Sequence, residues 1–127
     1  MTIAEIVIPS GARNLLFIDT GAAARVGTSD YDRHGSLSVA AAVWLVERKL
    51  KLVAVDMPTP DVAIDRRPES FVWPVHRALL AYGVLIAEQV TNLETLAGRR
   101  AEFMFFPLNI ADCDGAPARV LARAIES

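Results

Sequence analysis

Two side chains of this 127-residue chain have the types and spacing to share a metal ion: His76 and Glu88, twelve residues apart. A neutral imidazole and a carboxylate are both ligands for zinc or manganese. A helix rising 1.5 Å per residue carries the chain roughly 9 Å from His76 to Tyr82. A strand at about 3.3 Å per residue brings it roughly 13 Å from Val84 to Glu88. If Gly83 folds the strand back beside the helix, Glu88 returns to about the level of His76. The pair would then form half of a site, because catalytic zinc takes three protein ligands and keeps one position open for water. The same spacing also fits a helix histidine and a strand-end carboxylate that share nothing.

Other reactive residue types carry plainer expectations. His34, the second histidine, stands in a polar loop between Arg33 and Gly35 and is read as solvated rather than ligating. Asp56 and Asp61 flank a proline-rich turn, where aspartate more often caps a helix or forms a turn than touches substrate. Trp44 and Trp73 are read as packing residues, since no basic patch accompanies them as in a base-stacking platform. Cys113 lies between Asp112 and Asp114, poor surroundings for a nucleophilic thiolate. No side chain is singled out as catalytic or substrate-binding.

The elements that must position the pair follow from the apolar pattern. Residues 5–9 and 14–18 are short apolar runs and read as two strands or as a strand after an extended arm; 22–35 is a polar, Gly-containing loop. Ser38 can cap a helix ending at Glu47-Arg48-Lys49. Leu50 to Val55 reads as a buried strand, and Met57 to Glu69 as a second long loop that Pro58 and Pro60 keep out of the sheet. Pro74 suits the first turn of a helix running to Tyr82, with Gly83 as its stop. Val84 to Ala87, Glu102 to Ile110 and Ala118 to Ile125 read as strands, and Asn92 to Leu96 as a helical turn. Strands alternating with helices predict an α/β domain with a mixed sheet, one domain over 1–127.

The net charge of −2 and the pI near 5.6 favour neither nucleic acid nor an acidic membrane as partner. A single cysteine excludes an internal disulfide and fits the cytoplasm. The N-terminus shows no secretory pattern, and the apolar run from Leu37 to Val46 is too short to span a bilayer. A 53% hydrophobic content is high for so small a chain and predicts a homo-oligomer or a complementing chain.

Five ordered motifs carry a family resemblance. Leu52-Val53-Ala54-Val55-Asp56-Met57-Pro58-Thr59-Pro60-Asp61 is similar to a strand ending in an Asp-Thr-Pro-Ser-x-Asp loop. His76-Arg77-Ala78-Leu79-Leu80 resembles a His-x-x-Leu-Leu helix. Gly83-Val84-Leu85-Ile86-Ala87-Glu88-Gln89-Val90 resembles Gly-Ile-Pro-Ile-Leu-Glu-Asn-Leu. Phe106-Pro107-Leu108-Asn109-Ile110 and Asp114-Gly115-Ala116-Pro117-Ala118-Arg119-Val120 complete the order. Upstream, Leu15 to Gly21 resembles a strand leading to an Arg-Thr-Gly turn. These are features of cyclase-family metal-dependent hydrolases of the kynurenine formamidase kind, and the chain resembles their C-terminal part.

The resemblance implies a swivelling β/β/α domain. It also implies that His76 and Glu88 are ligands of the second metal of a binuclear zinc or manganese centre. The family's reaction is attack of metal-activated water on an amide, ester or cyclic imide carbonyl; kynurenine formamidase takes N-formylkynurenine to kynurenine and formate in tryptophan catabolism. The other family ligands lie in a His-x-Gly-Thr-His-x-Asp-x-Pro-x-His segment, and nothing in Met1 to Gly35 matches it. Asp19 replaces the arginine before Thr-Gly, and Ala54 replaces a glycine. A non-catalytic subunit that keeps fold and oligomer surface is the alternative expectation.

Overall fold

The computed structural model describes residues 2–6, 14–97, 99 and 101–125. A four-stranded sheet runs in the order β1 (Thr2–Ile6), β2 (Asn14–Asp19), β3 (Leu50–Val55), β4 (Leu85–Ala87). β1 is antiparallel to β2, with Thr2 opposite Asp19, while β2, β3 and β4 are mutually parallel. The first strand therefore lies earlier than the run expected at 5–9, of which residues 7–9 fall outside those described. Helix α1 (Val39–Glu47) crosses from β2 to β3, and α2 (Pro74–Leu80) from β3 to β4. A separate antiparallel ribbon pairs β5 (Ala101–Pro107) with β6 (Ala118–Ala124). The domain is α/β with a mixed sheet, as the pattern of elements predicts.

The central strand β3 organises the core. Residues 52–55 of this strand are all buried, and their side chains alternate between the two faces of the sheet. Val53 and Val55 join Ala42 and Leu45 of α1 and Val75 and Leu79 of α2 on one face. Leu52 and Ala54 join Phe17, Val90 and Leu93 on the other. The ring of Phe17, fully buried, stacks on Phe103 of the ribbon with centroids 4.0 Å apart. Burying such a side chain contributes about 1.5–3 kcal/mol. Both helices thus cover one face and the ribbon covers the other.

Local signals set the helix ends. Ser38 Oγ accepts the Ala41 N–H at 3.1 Å and starts α1. Pro74 opens α2, yet the residue before it, Trp73, gives no side-chain cap and sits in the left-handed region with φ 53°. Asp61 caps that helix instead, from the loop after β3, through Val75 N–H at 2.9 Å and His76 N–H at 3.0 Å. Gly83, with φ 73°, ends the turn from α2 into β4, a conformation that costs glycine little. The ribbon strand expected to reach Ile110 stops at Pro107, which lacks a ladder donor.

Asp56 is the polar stop of β3. Its carboxylate is buried and accepts four hydrogen bonds from the turn after β2: Thr20 N–H at 3.1 Å, Thr20 hydroxyl at 2.7 Å, Ala22 N–H at 2.6 Å and Ala23 N–H at 3.3 Å. The adjacent ends of two parallel strands are fastened through one side chain. Asp56→Ala strands these donors, and unsatisfied buried donors cost roughly 1–3 kcal/mol each where water cannot enter. A loss of about 3 kcal/mol in urea unfolding is expected, and a loss under about 1 kcal/mol would show that the turn is held by something else.

Candidate metal and substrate site

The carboxyl ends of parallel strands in an open α/β sheet are where ligands bind, because the connecting loops diverge there. In this chain the loops after β2, β3 and β4 converge at that edge. Backbone and side-chain bonds tie the first two together: Leu37 N–H donates to Pro60 O at 2.8 Å, and Arg66 donates to the carbonyl of His34. Between them lies a cavity of about 540 Å³, whose walls include Asp32, His34, Arg67, Trp73, His76 and Glu88. Asp114, from the connection between β5 and β6, reaches the same cavity.

His76, on the first turns of α2, and Glu88, one residue past β4, do meet. Nε2 of His76 is 3.3 Å from Oε1 of Glu88. On the far side of the ring, Nδ1 lies 2.7 Å from Oδ2 of Asp61, whose side chain is fully buried. The same carboxylate takes the His76 backbone N–H, so it fixes both ends of the residue at once. Capping, the commoner role expected of Asp61, is what it performs; the hold on the imidazole is an added role that spacing did not reveal.

The donor set can be tested on this geometry. With Nδ1–H donating to Asp61, a neutral His76 turns an unprotonated Nε2 toward a carboxylate oxygen. Two lone pairs facing at that distance repel unless a proton or a cation stands between them. Two ligands at about 2.0–2.1 Å from a tetrahedral metal lie roughly 3.3 Å apart, which is the separation observed between these two atoms. A carboxylate holding the outer nitrogen of a metal-ligating histidine is also the usual supporting arrangement. His76 and Glu88 therefore fit a divalent metal as two of its ligands. Among the described residues, no group of three His, Cys, Asp or Glu side chains is arranged to hold one.

Glu88 is held protonated to higher pH than an ordinary glutamate. Burial is the largest cause and Asp61 adds to it, while His76, a hydrogen bond from Thr59 and Arg67 pull the other way. The Tyr31 phenol is also pushed up, by burial and then by Asp56, Asp32 and Glu88, so it remains a hydroxyl donor beside these carboxylates.

Two expectations are corrected. His34 is not solvated: it is 2% exposed, with Nδ1 against the carbonyl of Gly35, because its loop is clasped to the one after β3. The tryptophans are not core residues. Trp44 is 50% exposed with the Arg48 guanidinium over its ring, and Trp73, 43% exposed, forms part of the cavity wall. Cys113 is exposed. Asp19 accepts the Gly21 N–H at 3.0 Å and closes its turn, where the family pattern has arginine. Arg67 had no signal in the sequence, since it comes from a loop whose path no periodicity encodes; Asp114 was marked only as the first residue of a motif, with no role attached.

Comparison with known proteins agrees with this architecture. The family described as "Putative cyclase" matches residues 2–62. A kynurenine formamidase of Bacillus cereus is 33% identical over 84 residues, 66% of this chain and 37% of that protein. A kynurenine formamidase of Bacillus anthracis is 31% identical over the same shares. A solved structure described as a potential metal-dependent hydrolase with cyclase activity superposes with a TM-score of 0.56 at 18% identity, covering 94% of this chain and 63% of that one. In fold the chain is similar to that hydrolase, and over the matched segments it is similar in sequence to cyclase-family proteins. Its curated relatives are kynurenine formamidases, and the match spans little more than a third of their length. Among the described residues, no helix is long and apolar enough to cross a membrane.

The raised value at Glu88 has a thermodynamic consequence. The folded chain holds this proton more tightly than the unfolded chain, so the stability it contributes is fully present below the ordinary value of 4.5. It is lost as pH rises through the raised value. Urea midpoints measured across that window should fall with pH in the natural chain and fall less in Glu88→Gln. Parallel curves for the two would mean that Glu88 titrates normally.

Proposed function

We propose that this chain is part of a metal-dependent hydrolase that cleaves an amide, ester or cyclic imide carbonyl, with N-formylkynurenine as the leading substrate. The observation that carries the reading is the facing pair of His76 Nε2 and Glu88 Oε1, with Asp61 behind the imidazole. His76 and Glu88 would hold zinc or manganese, and such an ion supplies a Lewis acid and an activated water. Asp61 keeps the histidine in the tautomer that offers Nε2. Thr59 steadies the Glu88 carboxylate.

Two ligands are fewer than hydrolysis requires, and the reading takes the remaining ones from beyond the described residues, with a complementing chain as one source. Exposed apolar side chains support a partner surface: Phe106, Leu108 and Ile110 after and along β5, and Leu121 on β6, are each 45% or more exposed. The cytoplasm is the proposed compartment, on the ground that a single cysteine fits a reducing environment. A second reading, a binding subunit without chemistry, is favoured by the lack of a third ligand among the described residues.

Formate release from N-formylkynurenine, assayed with zinc or manganese and with any complementing chain present, should fall to background in His76→Ala. Activity that survives this substitution would remove His76 from the metal site. Metal content should approach one per chain and be lost in Glu88→Ala. Equal metal content in the two would favour the binding-subunit reading.

A further inference from the structure

Arg67 has an arrangement that its loop position alone does not explain. Its guanidinium lies over the Trp73 ring at 4.1 Å and near the Phe71 ring at 4.8 Å, and those two rings meet edge to face at 5.2 Å. Nε donates to the Val62 carbonyl at 2.8 Å. Stacking on aromatic faces and a pinned Nε fix the plane of the group and leave its terminal nitrogens directed by that plane. Among the described residues, those terminal N–H groups have no hydrogen-bonded carboxylate or carbonyl, although the charge is felt by Glu88 across the cavity. They belong to a residue of the cavity wall that also carries His76 and Glu88.

The aromatic half of this clamp is held at a cost. Trp73 has φ 53° and ψ 58°, left-handed values that a bulky residue rarely adopts, and it precedes a proline, which restricts it further. Such a conformation is strained and persists only where its surroundings impose it. Here it sets the Trp73 ring between Arg67 and the imidazole of His76, whose centroid is 5.3 Å away.

We propose that Arg67 is the anion-recognising residue of this cavity, and that it selects ligands carrying a carboxylate. A rigid guanidinium matches a carboxylate through two parallel N–H donors, a fit that an ammonium or a neutral amide does not reproduce. The inference rests on the cavity being the substrate site proposed above, and names the chemical feature that the substrate presents away from the reacting carbonyl.

Benzoate and benzamide serve as probes, since they share shape and differ in charge. Binding to the metal-free chain is followed by NMR through the indole N–H of Trp73, assigned by comparison with Trp44→Phe. Benzoate should bind at least ten-fold more tightly than benzamide. In Arg67→Met, benzoate should weaken to the level of benzamide, while benzamide changes little. Arg67→Lys, which keeps charge on the aromatic faces and guards against a folding defect, should retain only part of the preference. The proposal fails if the natural chain binds the two probes alike or binds neither. It also fails if the preference survives Arg67→Met, or if Arg67→Lys matches the natural chain. Neither metal nor turnover enters the measurement. A chain that discriminates benzoate yet releases no formate with metal and complementing chain supplied loses the hydrolase reading and keeps this one, and the reverse result does the opposite.

Discussion

Burial of β3 on both faces is the constraint from which the rest of this molecule follows. A strand with no solvent face must be apolar from side to side, and Leu52 to Val55 meets that demand with four residues feeding two separate cores. Helices are then needed on one face and a second layer on the other, which α1, α2 and the β5–β6 ribbon supply. Polar groups can appear only where the strand ends. Asp56 and Asp61 stand there, both buried, and each turns its charge into a fastening for a neighbouring element.

The candidate site is assembled from those fastenings. Asp56 draws the turn after β2 onto the end of β3, and Asp61 draws α2 onto the loop that follows. His76 is carried in by that second tie, and Glu88 arrives because Gly83 reverses the chain into the edge strand β4. Arg67 and Trp73 close the cavity from the loop between them. Electrostatics then favours something positive between the histidine and the glutamate, since burial makes a bare negative charge on Glu88 unfavourable.

Elements with strong periodicity or end signals were legible before any coordinates: α1 from its Ser38 cap, β3 from its branched apolar run, α2 from Pro74 and Gly83. Helix rise and strand rise put the meeting of His76 with Glu88 within reach but fitted equally a pair that shares nothing, and it was the ordered motifs that singled it out. What escaped was everything set by loop paths. His34 looked solvated because its neighbours are polar, yet a single backbone bond from Leu37 to Pro60 folds its loop inward. Trp73 looked like packing because tryptophan usually is; only its left-handed backbone turns it toward the cavity. Asp61 acts fifteen residues away from where it stands in the chain, and no local rule announces a cap supplied at that range.

That remote cap ties two properties together that are separate in most domains. One carboxylate starts a helix and also orients the imidazole at its beginning, so the folding of α2 and the chemistry of His76 cannot be altered one at a time through Asp61. Any residue replacing it would have to satisfy two amides and a ring nitrogen together, and asparagine or glutamate meets only part of that. Drift at this position is therefore closed off even in a descendant that has given up catalysis, and an aspartate retained there would testify to the helix rather than to the reaction.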